Sequence, residues 1–91
     1  MSYSLIVSED CEKRMIKLCG KNPVLEHALK NKIKEILQNP QHYKPLKYNL
    51  TGEKRVHIMK SFVLKFKINE NTKTVTLLFF GHHDEAYSRG L

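Results

Sequence analysis

The chain predicts an α+β fold: an N-terminal strand, an antiparallel two-helix hairpin, then a three-stranded antiparallel meander that completes a four-stranded sheet. Three observations predict it. A short alternating segment opens the chain, apolar residues then recur at helical spacing as far as Pro40, and after Gly52 the hydrophobic period falls from 3.6 to 2. At 91 residues there is room for one core, so residues 1–91 are read as a single domain of modest stability.

Tyr3, Leu5 and Val7 alternate with Ser4 and Ile6, the pattern of a short strand. Ser8 then offers an N-cap oxygen, Glu9, Asp10 and Glu12 fall in the electropositive first turn, and Gly20 supplies a stop, which sets helix one at residues 9–19. Cys11, Met15, Leu18 and Cys19 make its apolar stripe. Asn22-Pro23 restarts the chain as cap and first helical residue; Leu25, Leu29, Ile33, Ile36 and Leu37 form a second stripe that Asn39-Pro40 ends. The short link from Gly20 to Asn22 makes the two helices antiparallel. A punctuated connection follows, from Pro40 to Gly52. Val56 and Ile58 then alternate with Arg55, His57 and Met59, and Phe62, Leu64, Phe66 and Ile68 with Val63, Lys65 and Lys67. Asn69 to Thr72 reads as a hairpin turn. Val75 to Phe80 is apolar on both faces, which marks the most central strand, and Gly81 begins a tail that leaves it.

Sixteen Lys and Arg against nine Asp and Glu give a net charge of +7. Up to Glu26 the basic residues Lys13, Arg14, Lys17 and Lys21 cancel Glu9, Asp10, Glu12 and Glu26, so the excess lies from His27 onward, where a polyanion would be met. No apolar run reaches the length of a membrane span, and the opening residues lack the basic start and apolar core of a secretory signal. Cys11 and Cys19, in one helix, have Cα atoms about 12 Å apart, too far for a disulfide. Together these features point to a cytoplasmic protein with no membrane partner.

Arg55, His57, Lys65 and Lys67 alternate off the apolar set and predict a cationic sheet face able to neutralise several phosphates. For Lys65 and Lys67 alone, a solvated sheet face is the simpler explanation; an Arg fork beside a His is the more informative pair. His82-His83 and Tyr87 follow the last strand. His82 is expected to pack under the sheet and His83 to face solvent. Asp84 and Glu85 are the only carboxylates beside them, too few ligands for a metal site, so neither metal nor cofactor is expected.

The segments Pro45-Leu46-Lys47-Tyr48-Asn49-Leu50-Thr51-Gly52, Arg55-Val56-His57-Ile58, Phe62 to Ile68, Val75 to Phe80 and Gly81-His82-His83-Asp84-Glu85-Ala86-Tyr87 resemble, in order and spacing, the RelE/ParE superfamily of toxins from type II toxin–antitoxin pairs. In its RelE-like branch the resemblance implies a metal-independent endoribonuclease that cuts messenger RNA on the ribosome, silenced by an acidic, RelB-like antitoxin, with a heterotetramer among the assemblies implied. Carried over by position, Arg55 would clamp phosphate, His57 would transfer protons, His83 would share the acid role and Tyr87 would stack on the nucleotide. Lys47, Lys60, Lys65, Lys67 and Arg89 are the RNA-binding candidates. One departure stands out: RNA-cutting members usually have an arginine directly after the aromatic residue that opens the third strand. Here that residue is Val63, expected to be exposed beside Lys65. Two other readings stay open, a ParE-like inhibitor of DNA gyrase and a catalytically degenerate homologue that acts as a binding module.

Overall fold

A computed structural model describes residues 3–42 and 53–84. Strand β1 (Ser4–Val7) leads into helices α1 (Glu9–Cys19) and α2 (Pro23–Gln38), a short 3-10 turn (Pro40–His42), and strands β2 (Glu53–Ile58), β3 (Phe62–Asn69) and β4 (Thr74–His82). Both helices start where the caps predict. The Ser8 side chain accepts the Cys11 N–H at 3.2 Å, and Asn22 Oδ1 accepts the Leu25 N–H at 3.1 Å with Pro23 in the first turn.

The strands form one mixed sheet in the order β1-β4-β3-β2. β2, β3 and β4 are an antiparallel meander, and β1 returns beside β4 in parallel. β4 is thus an inner strand, as its doubly apolar run predicts. The helices cover one face, where Cys11, Leu25, Leu29 and Ile36 meet Val56, Ile58, Leu64, Phe66, Val75, Leu77 and Phe80 in a single core. Phe66 and Phe80 are wholly buried, each contributing about 2–3 kcal/mol of apolar burial. The cysteines are free and buried, and burial pushes the Cys11 thiol up to about 11, so it stays protonated near neutrality. Edge strand β1 keeps Leu5 and Ile6 exposed while Tyr3 and Val7 pack on the core. Among the described residues, no helix is long and apolar enough to cross a membrane.

Two boundaries differ from the sequence expectation. β2 begins at Glu53, ahead of Arg55, and β4 runs on through Gly81 and His82, which pair with Val63 and Phe62. The second difference follows from a bulge. Lys65 pairs with Phe79 but Phe66 pairs with Leu77, which leaves Leu78 as one extra residue in β4. Beyond it the side-chain parity inverts: Phe80 and His82 point to the helices, Phe79 and Gly81 away from them. Ser8 fastens α1 to this point, since its N–H donates to Leu77 O at 3.0 Å and its hydroxyl to Leu78 O at 3.4 Å.

The β3–β4 turn is closed by Asn69 Oδ1, which accepts the N–H groups of Asn71 and Thr72. It is tied to the start of the chain by Glu70, which accepts from the Tyr3 hydroxyl at 2.8 Å and from Lys73 Nζ at 3.1 Å. The Tyr3 bond first, then the Lys73 bond, hold the Glu70 carboxyl below its ordinary value. A depressed carboxylate stabilises the fold above its unfolded value and loses that contribution as pH falls through the folded one. Glu70→Gln should therefore lower the denaturation midpoint at neutral pH, and the gap from the parent should close as pH falls below 4.5; urea titrations of both proteins across that range check it.

Candidate functional site

Away from the helices, the register sets side chains in three cross-strand rows. His57 stands opposite Val63, which stands opposite Gly81; Arg55 faces Lys65, which faces Phe79; Glu53 faces Lys67. Arg55 and Lys65 therefore lie side by side in the middle of the face, as their alternation predicts. Lys67 sits at the far end in a row with an acidic neighbour, remote from the histidines.

At the other end of the face, His83 leaves β4 and stacks on His57, with ring centroids 5.5 Å apart and planes 24° from parallel. The stack is anchored through backbone, because the His83 N–H donates to Ser61 O in the β2–β3 turn at 2.8 Å. His57, Lys60, Ser61, His82, His83 and Asp84 line an open cleft of about 390 Å³ here. Asp84 Oδ1 lies 3.8 Å from His83 Nδ1, both side chains well exposed. His82 rests on Phe62, 4.5 Å between ring centroids, on the helix side of the sheet. Both histidines are exposed, which corrects the expectation that His82 would be covered: the bulge turns it toward the helices, but beyond their reach at the strand end.

The turn that presents Lys60 is held under strain. Met59 and Lys60 have φ values of 54° and 68°, the left-handed region that disfavours side chains with a Cβ. Lys60→Gly should raise stability by about 1 kcal/mol while removing a cation from the cleft, a change that a urea midpoint would register.

Val63 is the clearest correction. Its parity is as expected, sharing a row with His57, yet its exposure is 0%. His57 flanks it on one strand, and on the other, where Gly81 has no side chain, the Phe79 ring lies across the glycine. An arginine there would have to lodge a guanidinium in a closed space. Val63→Arg should therefore destabilise the protein by about 2 kcal/mol or more instead of adding a simple surface fork, seen as a fall in thermal midpoint.

The sequence reading overlooked Phe79, Gly81 and Arg14 on this face. Phe79 lies across Gly81, where a Cβ would come 2.8 Å from its ring, and carries Arg14 Cζ at 4.8 Å and Lys65 Nζ at 5.7 Å from its centroid. The legible signal was a glycine directly after the apolar run, where the backbone can be closely approached. Tyr87, Lys47 and Arg89 lie outside the described residues. Among those described, no three His, Cys, Asp or Glu side chains cluster as metal ligands.

The fold and this face define an open mixed sheet backed by a helical hairpin, with a basic, histidine-bearing cleft at one end. Residues 20–87 match the family model for the ParE toxin of the type II toxin–antitoxin system parDE. The protein named "Putative toxin RelE4" of Methanocaldococcus jannaschii is 42% identical over 87 residues, 96% of this chain and 93% of that protein. Among solved structures, a mutant of E. coli toxin RelE in the free state superposes with a TM-score of 0.76 at 22% identity, covering 97% of this chain and 90% of that one. The intact E. coli RelBE toxin–antitoxin complex matches with a TM-score of 0.72 at 23% identity, over 89% of this chain and 96% of that one. The chain belongs to the RelE/ParE superfamily of toxins from type II toxin–antitoxin systems.

Proposed function

We propose that this toxin is a metal-independent endoribonuclease that cuts messenger RNA on the ribosome, using the face that bears Arg55, His57 and His83. The observation that carries the reading is the His57–His83 stack at the mouth of the cleft, one strand row from Arg55 and Lys65. Attack of a ribose 2′-hydroxyl on the adjacent phosphate needs a proton taken, a proton given and negative charge held on the phosphate oxygens. Two neighbouring imidazoles supply the first two, since either can serve as base when neutral and the other as acid when protonated. Arg55 and Lys65 supply the third, Lys60 adds charge at the rim, and Tyr87 is assigned to the nucleotide base by its position in the resemblance.

An acidic antitoxin is the partner this reading requires. A chain of net charge +7 with a cationic sheet face suits a partly disordered acidic protein that folds on it, and one matched structure is an intact E. coli RelBE toxin–antitoxin complex.

His57→Ala and His83→Ala should remain folded, because both rings are exposed, and should each abolish growth arrest on expression. A double mutant as toxic as the parent would sink the proposal. Cleavage by the parent should persist in chelator. Inhibition of DNA gyrase is the second reading, favoured by the match to the ParE model. Inhibited supercoiling by purified protein, with intact messages in the cell, would select it.

A further inference from the structure

Arg14 sits on the helical hairpin, far in sequence from the basic strands, yet its guanidinium ends on the face that bears His57. β1 stops at Val7 opposite Leu77, so beyond that point α1 flanks β4. From there Arg14 reaches over the strand until its Nη1 lies 3.3 Å from where a Cβ of Gly81 would be. Phe79 supports the guanidinium from the sheet at 4.8 Å, and Asp10 Oδ2 meets Nε at 3.4 Å. The side chain remains 23% exposed. Gly81 is the end of the row His57–Val63–Gly81, which spans two strand spacings, about 10 Å. A nucleic-acid backbone lying along that row meets the imidazoles at one end and this guanidinium at the other. Buried Val63 offers it nothing polar between them.

We infer that Arg14 is a phosphate-binding residue of the site, gripping with its fork an RNA phosphodiester beside Gly81 and Phe79, next to the one held at His57 and His83. The inference rests on the reading of this face as RNA-cleaving. Three features of the chain converge on the placement: the Leu78 bulge turns Phe79 to this face, Gly81 leaves room above the strand, and the Ser8 bonds fix α1 against the bulge. Only a planar guanidinium combines stacking on a ring with bidentate donation to phosphate.

The test compares wild type, Arg14→Met, Arg14→Lys and His57→Ala for cleavage of a message on purified ribosomes, with thermal midpoints measured alongside. Met keeps apolar packing on Phe79 and loses the fork; Lys keeps the charge alone. Arg14→Met should lower kcat/KM about 10- to 100-fold without loss of fold. Arg14→Lys should recover part of that, with the salt dependence of the wild type. Wild-type cleavage by Arg14→Met overturns the assignment and leaves the RNA reading standing, provided His57→Ala is inactive. Full activity in Arg14→Lys, with a loss in Arg14→Met that follows its thermal midpoint, also overturns it, because the side chain would then be only a brace for Phe79. No cleavage by wild type removes the RNA reading, and this inference with it.

Discussion

One extra residue in β4 governs how the two faces of this sheet are used. Without the bulge at Leu78, strict alternation would carry Val75 and Leu77 through to Phe79 and Gly81 on the helix side, and Phe80 would leave the core. With it, Phe80 seals the core against Phe62, at 5.7 Å between ring centroids, while Phe79 crosses to the polar side. The same inversion brings His83 to the side of His57 and leaves His82 on Phe62. Ser8 is what keeps the bulge in register with the helices, since one hydroxyl caps α1 and donates to the bulged carbonyl.

From that constraint the separation of roles follows. Apolar burial is concentrated between the hairpin and one sheet face, where Lys54 is the one buried cation among the described residues, and the other face gathers Arg55 and Lys65. Of the three left-handed non-glycine residues described, two, Met59 and Lys60, are consecutive at the end where chemistry is proposed, where His83 bonds to the same turn, and the third, Lys73, is in the β3–β4 turn. Such strain costs stability and persists where the surrounding structure enforces it. At Met59 and Lys60 it fixes the edge of the cleft and the start of the C-terminal segment together.

Much of the fold was legible because its signals are local. Caps at Ser8 and Asn22, the switch of period after Gly52 and the doubly apolar run of β4 each act over a few residues, and each named its element correctly. The parallel return of β1 is a long-range pairing that no local pattern encodes. At the site, Arg55, His57 and Lys65 were readable from alternation alone. The bulge was hidden because Leu77, Leu78, Phe79 and Phe80 are all apolar, so a shift of parity leaves the pattern unchanged. Arg14 escaped notice for a different reason: it belongs to a helix whose charges cancel, and its position depends on tertiary packing. Burial of Val63 was invisible too, because parity assigns a face and says nothing of what flanks it.

The central claim is that the stacked imidazoles drive attack by a ribose 2′-hydroxyl, which leaves a chemical signature on the product. Mass spectrometry of message fragments cut on purified ribosomes, with chelator present, reads it directly. The account predicts a 2′,3′-cyclic phosphate, or the phosphate it hydrolyses to, on the upstream fragment and a free 5′-hydroxyl on the downstream one. Fragments that instead end in a 3′-hydroxyl and a 5′-phosphate would mean that water, not the 2′-hydroxyl, is the nucleophile, and would contradict the roles given to His57 and His83.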